Sequence, residues 1–487
     1  MVSMKNPPHL LQRDLAHATD YATWREIALE LDHREGHDVW RAEDACDGYD
    51  HWLIKERLLE LRRMRRDNDV RRLVFRLHEG LHGNLGNMAN PALYAYCRVG
   101  TKRLITEYVE EVSKALIWIC DTEFDDFGYE EKILFFKRTG VSFGRSALML
   151  SGGATLGMFH FGVIKALHEQ GLLPRVISGS SAGSIVAGGV ATRTDEEIAR
   201  TYDLETLNLD AWQKLDFRTA VKGRALMNPD VLARCLESNI GDNTFEEAFE
   251  HTGRILDITV SPAERHQHGR LLNYLTSPNV LIFKASQASC SVPGLFPPVT
   301  LKAREYEGDV VDYMPSKRWV DGSLSSDLPM LRLARLHNVN HYIVSQTNPH
   351  VVPFLAKDTA TGLLPFARDW VMSSGKQTID LARMHFRNRG FGRVVRQLHA
   401  LTNQRYTGDV TILPRYTPKK MMRALANPTM EEMKRYVEDG ERATWPTIER
   451  VRIQTEISRT FEECLIRLKA QRFGRRRDDA PMRVSRS

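Results

Sequence analysis

Between Tyr21 and about Cys120, apolar residues recur at three- and four-residue intervals. The stretches WREIALELD, HWLIKERLLELRRMRR, VRRLVFRLHEGL and TKRLITEYVEEVSKALIWIC all carry this spacing and predict amphipathic helices. Turn signals in GHD, DGYD and NLGNMANP separate them. The period changes near residue 145. SALMLSGG is a short apolar run ending in glycines, GMFHFGVIKALHEQGLL returns to helical spacing, RVISGSS is a second short run, and AGSIVAGGVATR opens a helix of small residues. Strand, glycine loop, helix, strand, tight turn and helix in that order predict an α/β fold with a mostly parallel sheet. Further strands are expected at RILDITVSP, VLIFKAS, RWVDGS and HYIVSQTNP, and helices again from about Pro418 to Lys469.

This pattern divides the chain into a flexible lead-in (1–20), a helical N-terminal domain (21–135) and an α/β core (145–350). The core continues through a C-terminal part (351–415), and a helical extension with a basic tail (416–487) follows. Hydrophobic residues make up 42% and charged residues 27% of the 487, ordinary values for a globular protein. No run of 18 apolar residues suggests a membrane span, and the first twenty residues lack the apolar core of a secretory signal. Six scattered cysteines without a CxxC pair suit a reducing compartment, so an intracellular location is expected. The net charge of +6 is uneven: no acidic residue lies between Asp380 and Asp409, where six arginines do, and QRFGRRR sits near the end. Such patches suit nucleic acid or anionic lipid, or form a solvated helix face.

The chemistry concentrates in ISGSSAGSI, residues 177–185. Ser181 alone among its serines has glycine two positions before and after, Gly179 and Gly183, the G-x-S-x-G of a nucleophile on a sharp strand-to-helix turn. Upstream, Ser151-Gly152-Gly153-Ala154-Thr155-Leu156-Gly157 is a glycine loop entering a helix, whose amides suit an oxyanion. Its spacing matches neither a dinucleotide fingerprint nor a Walker loop. No histidine accompanies the serine. Asp321, in RWVDGS, sits at the end of an apolar strand before a glycine, where a carboxylate could act as base or could simply cap a turn. Only 28 residues separate Gly153 from Ser181 (181 − 153), one βαβ step, which fits a loop and an elbow on neighbouring strands.

The loop GGATLG, the elbow GSSAG and the DGS of Asp321 together resemble the three blocks of patatin-like phospholipases and lipases. FKASQASCSVPGLFPPV is similar to the stretch those enzymes carry between elbow and aspartate. The helical module with HWLIKERLLELRR, NLGNMANPALY and GTKRLITEY is similar to the domain preceding the catalytic one in fungal and plant storage-lipid lipases. The resemblance covers roughly residues 15–415. It implies a three-layer αβα core, preceded by helices and followed by helices. It also implies Ser181 as nucleophile, Asp321 as base, and Gly152, Gly153, Ala154 and Gly157 as the oxyanion loop. No metal or organic cofactor is required. Two departures stand out: Ser323 follows Gly322, and Leu156 occupies a position where many phospholipases carry a cation, which favours neutral acylglycerols.

Other motifs compete. His78-Glu79-Gly80-Leu81-His82 matches the H-E-x-x-H of zinc peptidases, with Glu107 a conceivable third ligand, although Gly80 and Gly83 weaken the required helix. His33 and Asp38 share a spacing found in some acyltransferases, and an acyl-enzyme on the serine could also pass its acyl group to an alcohol. Arg383–Arg396, interleaved with apolar residues, suits either a lipid-surface helix or a core helix with a basic face. Gly362-Leu363-Leu364-Pro365-Phe366 suits a lid or membrane-contact loop. The sequence therefore predicts a serine lipid acyl hydrolase of acylglycerol or phospholipid, associated peripherally with a membrane or lipid-droplet surface and not with nucleic acid. Triacylglycerol is the favoured substrate, and phospholipase A or lysophospholipase action the alternative. A zinc peptidase, or a lipid-surface binding protein without catalysis, is the reading from other classes.

Overall fold

The computed structural model describes residues 7–216, 225–264, 269–322, 327–349, 351, 352, 355 and 406–478. They fall into two compact units, one of residues 1–146 with 445–487 and one of 147–444.

The first unit is all helix: α1 (Pro8–His17), α2 (Tyr21–Arg34), α3 (His37–Ala42), α4 (His51–Arg66), α5 (Val70–Gly80), α6 (Pro91–Ala95), α7 (Arg103–Asp121), α8 (Tyr129–Phe143) and a last helix, Ile448–Asp478. The spacing read from the sequence is the spacing that packs. In α4, Ile54, Leu58 and Leu61 are buried, and they join one core with Leu73 and Leu77 of α5 and Ile105, Val112 and Ile119 of α7. Ile457, Phe461 and Leu468 of the last helix complete that core. Residues 8–17 depart from the expected flexible lead-in. Pro8 opens a helix at a position where its missing N–H costs nothing, and Leu11 packs on Ile27 and Leu31.

Among the described residues the α/β unit is built on nine strands: β1 (Arg145–Leu150), β2 (Val176–Gly179), β3 (Ile255–Pro262), β4 (Arg270–Leu272), β5 (Leu301–Arg304), β6 (Val310–Tyr313), β7 (Trp319–Asp321), β8 (Val339–Ser345) and β9 (Val410–Ile412). The main sheet runs β4-β3-β2-β1-β8-β9, with β7 also paired to β3. Pairs β1–β2, β2–β3 and β8–β9 are parallel, while β4 and β7 run antiparallel to β3. Alternation along β1 places Ala147 and Met149 in a cluster with Leu333 of helix Met330–His337, and turns Leu148 and Leu150 to the opposite face. Helices α9 (Phe159–Glu169) and α10 (Ala182–Ala191) follow β1 and β2, and with helix Met330–His337 on the Ala147–Met149 face they belong to a three-layer αβα arrangement.

One expected strand is a helix. All of VLIFKAS but its first two residues lies in helix Ile282–Ser289, where Ile282, Phe283, Ala285 and Ser286 are buried, and Val280 and Leu281 make single β-bridges. An apolar run surrounded by protein on every side loses the periodicity that tells strand from helix. Ser323, the Gly362–Phe366 loop and the Arg383–Arg396 segment lie outside the described residues. No described helix is long and apolar enough to cross a membrane.

Candidate active site

Ser181 stands between β2 and α10 with φ 50° and ψ −125°. A side-chain-bearing residue held in this region is strained by about 1–3 kcal/mol, and a nucleophile elbow requires it. The flanking glycines are needed for contact. A Cβ on Gly183 would overlap Leu150 O, and one on Gly179 would overlap Gly183 O, so strand and helix meet only because both side chains are absent. The remaining serines of the turn have structural duties. Ser180 Oγ donates to Asp327 O at 2.9 Å and Ser184 Oγ to Ser181 O at 2.6 Å, while Ser178 is buried in β2.

Asp321 ends β7, and only 1% of its surface is exposed. One turn serves both groups. At the end of helix Ile282–Ser289, Ser289 Oγ accepts the Ser181 N–H at 2.9 Å, and two residues on, Ser291 O accepts the Asp321 N–H at 3.0 Å. Cys290 lies between them. Burial and then the Asp321 charge push its thiol above the ordinary range, while the Ser184 and Ser181 side chains act in the other direction. Sequence reasoning missed Cys290, Ser289 and Ser291, which sit in SQASCSVPG with nothing in the residue types to mark them.

The glycine loop is held in detail. Gly152 N–H donates to Asp327 Oδ1 at 2.9 Å, so this amide is already engaged. The Gly152 carbonyl accepts from Ser151 Oγ at 3.0 Å and Thr347 Oγ1 at 3.2 Å. In a trans peptide the N–H points opposite the C=O, so pinning this carbonyl aims the Gly153 N–H away from Thr347. Among the described residues no hydrogen bond engages the Gly153 and Ala154 amides, and both residues line the same cavity as Ser181. Gly157 lies inside a short 3₁₀ turn, Ala154–Met158, and faces Ala182 of the elbow helix. Leu156 is fully buried and does not line the cavity, so any influence on head-group choice is not by contact.

That cavity, about 570 Å³, brings together Gly152, Gly153, Ala154, Ser181, Gly189, Cys290 and Asp321. Its walls are mostly apolar, with Ile185, Val190, Leu232, Leu295 and Phe296 among them. Arg193 is its one cationic lining residue among those described, and its guanidinium donates to the carbonyls of Gly189 and Asn239 at 2.6 and 2.8 Å. At the mouth, Trp212 Nε1 donates to Thr155 Oγ1 and Thr155 Oγ1 to Ala426 O, which ties the 421–428 segment to the glycine loop. Met421, Met422 and Leu425 line the cavity and are 41%, 81% and 47% exposed.

The histidines singled out by motif or burial are engaged away from Ser181. His160 is fully buried, with Nδ1 2.7 Å from Ser345 Oγ and Nε2 3.0 Å from Ser151 O; burial lowers its pKa to about 4. It is a neutral brace behind the glycine loop. His78 Nδ1 bonds Thr139 Oγ1 at 2.9 Å, and α5 ends at Gly80, so His82 is off the helix that a zinc motif needs. His33 Nδ1 pairs with Asp38 Oδ2 at 2.7 Å on an exposed site of the helical unit. Asp32, His37 and Cys97 also approach one another, but Asp32 already accepts from the Arg98 and Val99 amides and from the Arg41 and Arg98 side chains. Those donors neutralise the carboxylate that a cation would use.

Residues 148–334 match the patatin-like phospholipase family, and residues 1–140 match a domain of unknown function, DUF3336. The chain is 36% identical to triacylglycerol lipase ptl3 of Schizosaccharomyces pombe over 90% of its own length and 93% of that protein. It is also 36% identical to triacylglycerol lipase SDP1L of Arabidopsis thaliana, covering 92% of this chain but only 57% of that one. A patatin-like phospholipase domain-containing protein of Aspergillus fumigatus is 32% identical across 95% of this chain and 70% of its own.

Proposed function

The chain belongs to the patatin-like phospholipase family, in a form that carries the DUF3336 domain, and from that premise we propose a triacylglycerol lipase working through a Ser181–Asp321 dyad. The observation that carries it is the strained Ser181 at the floor of an apolar cavity that Asp321 and the glycine loop share. Ser181 Oγ attacks the ester carbonyl and its proton passes to Asp321. The Gly153 and Ala154 amides receive the oxyanion; preorganised donors of this type contribute on the order of 10²–10³ in rate each. Protonated Asp321 then gives its proton to the departing glycerol oxygen, leaving an acyl-serine. Water, deprotonated by Asp321, attacks that ester; the fatty acid leaves and the proton returns to Ser181.

A neutral substrate suits the walls. The cavity's one described cation, Arg193, has both terminal nitrogens donating to backbone carbonyls, which engages part of its donor set within the wall. The exposed Met421, Met422 and Leu425 at the mouth suit contact with a membrane or lipid-droplet surface, from which a substrate tail enters without crossing water. The test is the purified protein beside Ser181→Ala and Asp321→Asn, assayed on emulsified triacylglycerol and on phospholipid vesicles. Both variants should lose activity by about 10³-fold or more. Equal activity of all three proteins, or a higher rate on anionic phospholipid than on triacylglycerol, would overturn the reading.

A further inference from the structure

Asp327 is a second carboxyl at this site, outside the reaction as written above. It is 2% exposed and follows Asp321 by six residues (327 − 321), in DGSLSSDLP. Two of its bonds leave it in different directions. Its Oδ1 accepts the Gly152 N–H at 2.9 Å, and its backbone carbonyl accepts Ser180 Oγ at 2.9 Å. Gly152 is the residue before the amide read as an oxyanion donor, and Ser180 is the residue before the nucleophile. One residue therefore ties together the two segments whose separation decides whether an attacking hydroxyl and an oxyanion donor meet the same carbonyl.

We propose that Asp327 is a positioning residue for the reaction, holding the Gly152–Gly153 peptide and the Ser180–Ser181 elbow at the spacing the tetrahedral intermediate needs. This rests on the reading of Ser181 as nucleophile. The part of Asp327 that acts is an acceptor oxygen and a carbonyl, not a charge. Burial, more than any other influence, pushes the carboxyl up to about 7; the Asp321 charge adds to this, while the Gly152 amide and the Asn348 and Gln346 side chains oppose it. Near neutral pH the un-ionised acid is thus well populated, and its carbonyl oxygen accepts from Gly152 as an asparagine's would. A rate change of this kind comes from geometry: a donor displaced by a fraction of an ångström from the developing oxyanion loses much of its effect.

The experiment uses the full chain and a short-chain p-nitrophenyl ester, a soluble probe that needs no lipid surface. Asp327→Asn keeps the acceptor and should retain kcat within about threefold. Asp327→Ala removes it and should lower kcat by about 30-fold with KM within about twofold, the signature of an interaction that matters in the transition state. Ser180→Ala removes the other tether and should lower kcat by about tenfold, again without a KM change. The last variant carries the test if Asp327→Ala fails to fold. Wild-type kcat in Asp327→Ala, a loss as large in Asp327→Asn as in Asp327→Ala, a loss confined to KM, or wild-type kcat in Ser180→Ala would each overturn the proposal. Ser181→Ala in the same assay separates the two readings. If it remains active, the nucleophile assignment fails; if it is inactive while the Asp327 and Ser180 variants match wild type, only the positioning role fails.

Discussion

The Ser181 N–H donates to Ser289 Oγ at 2.9 Å, and the same hydroxyl donates to Thr259 O at 2.8 Å. The backbone of the elbow is therefore anchored through one side chain to β3, the strand that also pairs with Asp321. A strained residue keeps its conformation only when its surroundings over-determine it. Ser289→Ala removes one neutral hydrogen bond from each neighbour, about 1 kcal/mol of restraint, and should lower kcat by about tenfold with KM little changed. Steady-state kinetics on a soluble ester measure it, and an unchanged kcat would show that the elbow holds itself.

Gly183 is a stricter test of the same turn. Its missing Cβ is the space that Leu150 O occupies, and backbone cannot yield as a side chain can. Gly183→Ala should push α10 away from β1, costing about 1–3 kcal/mol of stability, and should abolish labelling of Ser181 by a fluorophosphonate. Thermal melting read beside labelling checks it. Labelling at the wild-type rate would mean that the close approach does not govern the serine.

Much of this arrangement was legible in the sequence because steric demands restrict residue types. Only glycine fits beside Leu150 O and Gly183 O, so Gly179 and Gly183 mark the elbow, and the helical periods of α4 and α7 mark a core that forms as spaced. The supporting residues were not legible. Ser289 and Asp327 reach partners more than a hundred residues away and Ser291 reaches one 30 residues away (321 − 291), and a serine or aspartate that does so looks like any turn residue. The glycine loop was legible as a loop, but which amides remain available depended on Asp327 and Thr347, far away in the chain. The apolar run at the start of helix Ile282–Ser289 predicts a strand because burial on nearly every side erases periodicity.

The cavity walls predict acyl-length selectivity. Ile185, one turn into α10 after Ser181, lines the cavity. Ile185→Trp adds bulk to the cavity wall and keeps Ser181, Asp321 and the glycine loop unchanged in sequence. Each displaced methylene contact costs about 1 kcal/mol, so the variant should lose about tenfold or more on trioleoylglycerol relative to tributyrylglycerol. The ratio of kcat/KM values on the two substrates measures it. A parallel loss on both would place the acyl chain elsewhere.

His160 predicts a pH dependence of stability. Its Nε2 donates to Ser151 O and its Nδ1 accepts from Ser345 Oγ, so the folded protein holds it neutral, and burial lowers its pKa from 6.5 to about 4. Between those values the unfolded chain binds the extra proton and the folded chain does not. Stability from this group is therefore complete above pH 6.5 and is lost as pH falls toward 4, by on the order of 3 kcal/mol. Asp327 works the opposite way: its carboxyl is raised from 3.8 to about 7, so it favours the folded state as pH falls through the same window. Glu197, lowered to about 2 chiefly by the Thr194 amide, loses its contribution only below its unfolded value of 4.5. A comparison of two proteins isolates the histidine. In urea unfolding at pH 7, 6, 5 and 4.5, His160→Gln should start less stable yet lose less than wild type on acidification. Parallel curves for the two proteins would mean that His160 takes up its proton in the folded state as readily as in the unfolded one.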